Sequence, residues 1–315
     1  MGNMFLYITF LFPNGLILLT QLMKKIGILF VVVLAGTILH AQESVDTLRH
    51  WTTGGNTSFT FSQVSLTNWS AGGKNSMAGT FLLKTFANYK KERVIWDNTL
   101  DLGYGLTKQG SDNVVKTDDK LQFSTQYGYQ AAAHWFYSAL ADFKTQFDNG
   151  YQDPPTNSVV ISKFMAPAFL NLSLGMQYKP TDNFMLYLSP LSSKMTIVSD
   201  GDLADAGAFG VDPGDKFRAE YGALVKMLAK KAELLKNVEG YTRLDLFSNL
   251  SNKPQNIDVD WEAGLNLKVN EFLSAVIKLN MIYDDDIKYV NQEGLERGAR
   301  AQFKQLFGFG LAYKW

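Results

Sequence analysis

The chain has 315 residues, with 30 basic and 30 acidic side chains, no formal net charge and no cysteine. The lack of cysteine excludes disulfides, thiolate metal sites and a cysteine nucleophile, and the balanced charge argues against nucleic acid as a partner. Hydrophobic residues make up 46% of the chain, yet beyond the amino-terminal region there is no uncharged apolar run of about 18 residues. That part of the chain therefore has no candidate for a transmembrane helix.

The amino-terminal region predicts an export signal over residues 23–41. Lys24 and Lys25 precede an apolar run at residues 26–39, and Ala41 supplies the small residue after which we expect cleavage. We interpret residues 1–22 as an upstream extension from a start codon placed too early; a membrane-anchoring helix is the alternative. Residues 42–315 then form the exported domain.

From residue 51 onward the chain repeats apolar and polar residues at alternate positions, which predicts β-strands. The first predicted strand, residues 57–68, changes phase between Phe61 and Val64, so we expect a bulge near Gln63. The next ten predicted strands cover residues 77–89, 94–106, 121–129, 135–147, 168–178, 184–188, 217–230, 238–247, 259–269 and 273–283. Residues 224–238 also fit helical spacing, and there we favour two strands joined by a turn.

The last predicted strand ends the chain on an aromatic residue. Its alternating apolar residues are Phe307, Phe309, Leu311, Tyr313 and Trp315. Such a strand resembles the closing strand of bacterial outer-membrane β-barrels, where it also serves as the assembly signal. The resemblance implies that the barrel-assembly machinery is a partner of this strand.

The connections between the twelve predicted strands alternate in length. The short ones cover residues 90–93, 131–134, 179–183, 231–237 and 270–271, and the longest cover residues 148–165, 189–216 and 285–300. Short turns at the end that carries both termini, with long loops at the other, are typical of outer-membrane barrels. The fold class we predict is all-β: a membrane-spanning, antiparallel, up-and-down barrel of about twelve strands in the bacterial outer membrane, with apolar side chains facing lipid.

Several short motifs carry a narrower resemblance. Residues 68–73 (Asn-Trp-Ser-Ala-Gly-Gly), 161–168, 188–191, 256–262 and 283–286 are similar to an uncharacterised outer-membrane family, known as domain of unknown function 3078. The likeness covers most of the exported chain. It implies a barrel and implies no activity, because no functional residues are established for that family.

The inward face of the predicted strands is unusually ionic. Its candidate lumen-lining residues are Lys84, Asp97, Asp101, Lys120, Asp142, Lys144, Arg218, Glu220, Lys226, Arg243, Asp245, Asp258, Asp260, Glu262, Lys268 and Lys278. Charges inside a barrel must pair or meet water, because burying an unpaired charge is costly. Two functions stay open: a passive channel for small polar solutes, which we favour, or a closed barrel that is a structural or accessory subunit of an outer-membrane assembly.

Residues for other chemistry are few. His40 leaves with the export signal, while His50 and His134 lie at the predicted short-turn end, so a hydrolase is the less favoured reading. We predict no catalytic residues and no cofactor. Asp284, Asp285 and Asp286 are candidate calcium ligands because calcium prefers carboxylate oxygens; solvated loop carboxylates are the alternative.

Overall fold

A computed structural model describes residues 50–66, 73–154, 156, 158–270, 272–286, 288–290 and 296–315. The predicted export signal, the upstream extension and most of the motif at residues 68–73 lie outside the described residues. Within them, no helix is long and apolar enough to cross a membrane.

The described residues are almost entirely strand. The strands are β1 (Trp51–Val64), β2 (Ser76–Lys91), β3 (Val94–Gln109), β4 (Val115–Ala132), β5 (Trp135–Thr145), β6 (Gly150–Tyr151), β7 (Val160–Ser162), β8 (Ala168–Thr181), β9 (Phe184–Ile197), β10 (Phe217–Leu235), β11 (Val238–Asn249), β12 (Ile257–Lys268), β13 (Leu273–Tyr283), β14 (Lys288–Val290), β15 (Glu296–Ala299) and β16 (Gln302–Lys314). A short helix α1 (Gly201–Asp205) and a 3-10 turn (Ala208–Gly210) lie between β9 and β10.

Twelve of these strands close into one antiparallel barrel. Around the ring they follow the chain, in the order β1, β2, β3, β4, β5, β8, β9, β10, β11, β12, β13 and β16, with β16 returning to β1. The small sheets β6–β7 and β14–β15 belong to two of the long connections. The predicted fold class, an up-and-down barrel of about twelve strands, is confirmed.

The short connections lie where they were predicted and are tighter than predicted. The turns after β2, β4, β8 and β10 have two residues each, and Glu92 and Asn237 take positive φ angles of 50° and 63° there. Residues 224–238 are two strands and a turn rather than a helix, since β10 runs to Leu235 and β11 starts at Val238.

The predicted bulge near Gln63 is wrong. β1 starts earlier than predicted, at Trp51, and pairs with β2 in one register from Trp51↔Tyr89 to Val64↔Ser76. The phase change there has another reason. Beyond Thr60 the register of β1 with β16 ends, and side chains on both faces of residues 61–64 are exposed, so no face imposes an alternation.

The predicted loop at residues 189–216 is also too long. β9 continues to Ile197, and it carries one extra residue relative to both β8 and β10 between Leu188 and Ser192. Pro190 has no N–H to give to the ladder, which makes this a natural place for a bulge. The bulge reverses which residues of β9 face inward, and this reversal hid the strand from the sequence pattern.

The two faces of the barrel invert the pattern of a water-soluble protein. Outward aromatics are open to the surroundings, with Tyr127 46% and Tyr137 62% exposed. Inward polar residues such as Gln122, Gln126 and Ser138 are buried. An apolar outer face around a polar interior is the pattern of an outer-membrane barrel.

Candidate functional site: the barrel lumen and the seam

The lumen is crossed by an ion pair that joins opposite walls. Lys120 of β4 and Glu262 of β12 are separated by five strands in either direction around the ring, yet Lys120 Nζ lies 3.2 Å from Glu262 Oε2. Lys120 also lies 2.7 Å from Asp101 Oδ2 on β3. Tyr241 Oη and Asn280 Nδ2 donate to Glu262 over 2.9 and 3.3 Å, which leaves this carboxylate only 2% exposed.

Two further bridges lie beside this one. Lys144 Nζ on β5 is 3.0 Å from Asp260 Oδ2 on β12. This contact also crosses the lumen, since four strands separate β5 from β12 on the shorter way around the ring. Lys226 on β10 pairs with Asp142 on β5 and lies 3.5 Å from Asp245 Oδ2 on β11. Lys226 is 5% exposed, so this charge is held entirely by protein groups.

Toward the end of the barrel with long loops, a third group of charges surrounds Lys194. Its Nζ lies 2.6 Å from Asp258 Oδ2, 2.7 Å from Asp284 Oδ2 and 4.0 Å from Glu220 Oε2. Arg218 joins the group through Glu220 Oε1, at 3.0 Å. The charges of β9, β10 and β12, together with Asp284 just after β13, therefore form one network.

Three of the remaining candidate residues have other contacts within the barrel. Asp97 pairs with Lys179 at 2.6 Å, Lys84 lies 4.9 Å over the ring of Tyr241, and Arg243 donates to Gln122 over 3.3 Å. Lys278 is half-buried on β13. Lys268 is exposed at the last position of β12 and is not one of the bridging residues.

Sequence reasoning missed two parts of the lumen. Lys194 and Lys179 were placed in connections, although both continue a strand once the bulge in β9 and the full length of β8 are known. Leu140, Tyr187, Leu224 and Phe247 form an apolar cluster from four strands on the inward face. Leucines at the inward positions 140 and 224 are the signal that could have revealed a filled interior.

Some buried polar atoms of the described lumen have no protein partner. Both side-chain polar atoms of Gln177 are among them, as are Arg243 Nε, Asp245 Oδ1 and Asp260 Oδ1. Buried polar groups are normally satisfied by protein or by ordered water. At these atoms, ordered water would supply the absent hydrogen bonds.

The candidate calcium ligands are engaged by protein donors. Asp284 pairs with Lys194, Asp286 lies 2.5 Å from Arg218 Nη2, and Asp285 accepts from Tyr283 Oη at 3.3 Å. Within the described part of the chain, no group of three or more His, Cys, Asp or Glu side chains could hold a metal ion.

One acidic residue of the long loop after β9 has a structural role. Asp200 caps α1 by accepting from the Leu203 N–H, and it pairs with Lys163 from the loop after β7. The hydrogen bond from Lys163 and the cap together lower the pKa of the Asp200 carboxyl, because both favour its charged form.

The barrel closes through its two terminal strands. β1 and β16 pair from Asn56↔Lys314 to Thr60↔Gly310, and Gly55 and Trp315 exchange backbone hydrogen bonds of 3.2 and 3.1 Å. A Cβ on Gly55 would lie 2.6 Å from Trp315 Cζ2, so the last aromatic needs a glycine beside it. Phe307, Phe309, Leu311, Tyr313 and Trp315 are all exposed on the outer face.

Comparison with solved structures finds bacterial outer-membrane barrels. The translocator domain of the autotransporter NalP from Neisseria meningitidis is 8% identical with a TM-score of 0.36, covering 94% of this chain and 98% of that one. The COG4313 outer membrane channel from Pseudomonas putida F1 is 12% identical with a TM-score of 0.37, covering 84% and 94%. At these scores the likeness carries no argument about function.

Comparison with protein families gives a match to one family over part of the chain. No curated protein matches the chain. Residues 61–151 match the family described as Protein of unknown function (DUF3078), which confirms the resemblance over this region. The matched region includes the motif at residues 68–73, and the other four motifs lie outside it.

Proposed function

We propose that this protein is a bacterial outer-membrane barrel with a closed lumen, acting as a structural or accessory subunit of an outer-membrane assembly. The observation that carries the proposal is the 3.2 Å contact between Lys120 and Glu262. Side chains that meet from opposite walls leave no continuous path between them for a hydrated solute. The apolar cluster around Tyr187, which is 0% exposed, fills another sector of the same interior.

The outer face and the termini support a proposal for the location and the partners. The exposed outward aromatics favour outer-membrane lipid as the surroundings, and the segment at residues 23–41 has the layout of an export signal. We expect the barrel-assembly machinery to engage β16, the strand that closes the ring.

Conductance in a planar bilayer tests the closed lumen. The purified, folded protein should give no unitary current. Replacing Asp260 and Glu262 together by alanine releases Lys120 and Lys144 from β12, so this double variant should conduct, with anions preferred over cations. Glu239→Ala is the matched control, because Glu239 pairs with Lys314 on the exposed end of the barrel and should leave the protein silent.

The passive channel predicted from the sequence is the second candidate. The unpartnered atoms of Gln177, Arg243, Asp245 and Asp260 favour it, since water in an open lumen would supply their hydrogen bonds. For an open channel, the unmodified protein conducts, and changing Lys120 and Lys144 to glutamate shifts its preference toward cations. That result would replace the closed-lumen proposal.

Calcium binding by Asp284, Asp285 and Asp286 stays a prediction, and we propose no catalytic role for any residue. An ion at this place must displace Lys194 and Arg218 from their carboxylates. We therefore expect the same thermal midpoint with calcium and with a chelator. A midpoint that rises with calcium, and no longer does so in Asp285→Ala, would establish a metal site.

A further inference from the structure

The seam between β1 and β16 is paired over only part of its length. All fourteen residues of β1 pair with β2, but the register with β16 covers five residues, Asn56 to Thr60. β16 pairs with β13 as far as Gln302, well beyond Gly310, where its register with β1 ends. In the half of the barrel with long loops, β16 is thus paired on one side only among the described residues.

Most side chains along this unpaired stretch are exposed, although on the inward face of β16 Leu306 is half-buried and Gly308 is buried. Phe61 and Val64 of β1 are exposed, and so are Phe303 and Phe307 of β16, the last at 75%. Gln305, on the same face as these phenylalanines, is exposed as well, and so is Lys304 on the opposite face. A bare strand edge is unfavourable in hydrocarbon because its backbone groups lack partners. We define this stretch, residues 61–64 and 302–309, as the seam gap.

A polar cavity of about 470 Å³ lies directly behind the seam gap. It is lined by Thr80, Lys116, Asp118, Lys304, Leu306 and Phe307, among others. Lys304 pairs with Asp118 across it, and Lys116 lies 2.7 Å from Asp119. The cavity thus offers charges of both signs, and its wall at Leu306 and Phe307 is the one-sided strand.

We propose that the seam gap is a lateral opening that admits a zwitterionic phospholipid from the membrane. The polar head enters the cavity and separates Lys304 from Asp118, so that its phosphate pairs with the lysine and its cationic group with the carboxylate. The acyl chains pass out between Phe61 and Phe307. An added polypeptide strand would satisfy the same edge but would leave the charged cavity without an occupant. The opening is independent of conduction, because Lys304 and Asp118 are not part of the bridges formed by Lys120, Lys144 and Lys226.

Engineered cysteine pairs test whether the strands are apart in the gap. The chain has no cysteine of its own, so each pair would be the only thiols. The test pair is Val64→Cys with Leu306→Cys, two positions that would lie opposite each other if the β1–β16 register continued through the gap. The control pair is Ser58→Cys with Ala312→Cys, two positions that do lie opposite each other in the paired part of the seam. Mild oxidation should join the control pair at least tenfold faster. Equal rates of disulfide formation would mean that β1 and β16 are also paired along the gap, and would overturn the proposal.

Photolabelling tests the occupant. The probe is a phosphatidylcholine vesicle carrying a trace of phosphatidylcholine with a diazirine on its headgroup, and labelled peptides are mapped by mass spectrometry. We expect labels on cavity residues near Thr80 and Lys116, reduced at least fivefold in Lys304→Ala. Lys314→Ala, an exposed lysine on the same strand that pairs with Glu239, should label as the parent does.

Two other labelling results and one purification result would contradict the lateral opening. Labels confined to the outward face of all strands alike, or unchanged in Lys304→Ala, would overturn it. So would a polypeptide copurifying along β16 in place of lipid. Heat-modifiable migration of each variant in a gel confirms that it is folded. A current from the unmodified protein would defeat the closed lumen without affecting either test.

Discussion

At the scale of single residues, the charge pairs of the barrel differ greatly from one another in burial. Glu262 is almost fully buried among Lys120, Tyr241 and Asn280. Glu239 pairs with Lys314 at the surface, with side chains 36% and 73% exposed. Exposed pairs contribute little to stability because water screens them. Removing one partner of a buried pair is destabilising, because it leaves the other charge buried without a partner.

We therefore predict that Glu262→Ala lowers the free energy of unfolding by about 3–5 kcal/mol, since its donors lose their acceptor at a buried site. Glu239→Ala should lower it by about 0–1 kcal/mol. Urea unfolding of the protein refolded into lipid vesicles measures both. Similar losses in the two variants would mean that water reaches Glu262 freely, which would argue for an open lumen.

At the scale of the strand, β16 has two different halves. Its last residues pair with β1 and carry the aromatic carboxy-terminus, while its first residues pair with β13 alone. Barrel closure consequently rests on a short stretch in which Tyr313 opposes Thr57 and Trp315 bonds to Gly55.

Deleting residues 313–315 removes two of the five opposed pairs and the backbone bonds to Gly55. An open ladder edge is costly in lipid, so we expect the truncated chain to remain unfolded in the periplasm and to lose heat-modifiable migration. Lys314→Ala keeps the whole backbone ladder and should migrate as the parent does. Normal migration of the truncated chain would show that the terminal pairs are dispensable for closure.

At the scale of the whole molecule, the apolar surface lies outside and the polar groups lie inside. Leu279 faces outward near the middle of β13, whereas Leu250 is exposed in the connection that follows β11. The two leucines are a matched pair, because only the first should meet hydrocarbon.

Leu279→Arg should cost about 2–4 kcal/mol of folding free energy in vesicles, as expected for arginine at the bilayer midplane. Leu250→Arg should change stability by about 0.5 kcal/mol or less, the usual range for a surface position. Unfolding in vesicles by guanidinium measures the difference. Equal stability of the two variants would place Leu279 outside the hydrocarbon.

The sequence by itself determined the strand number, the outward face and the short turns, because alternation and turn chemistry are local properties of the chain. Phe307 and Tyr313 could be placed on the outer face from their spacing alone. The tertiary structure decided which charges meet, since Lys120 and Glu262 lie 142 residues apart and their contact depends on how the ring closes. It also revealed the bulge that turns Lys194 inward and the place where β1 and β16 part. Both depend on register between strands, and register is set by partners that no single segment contains.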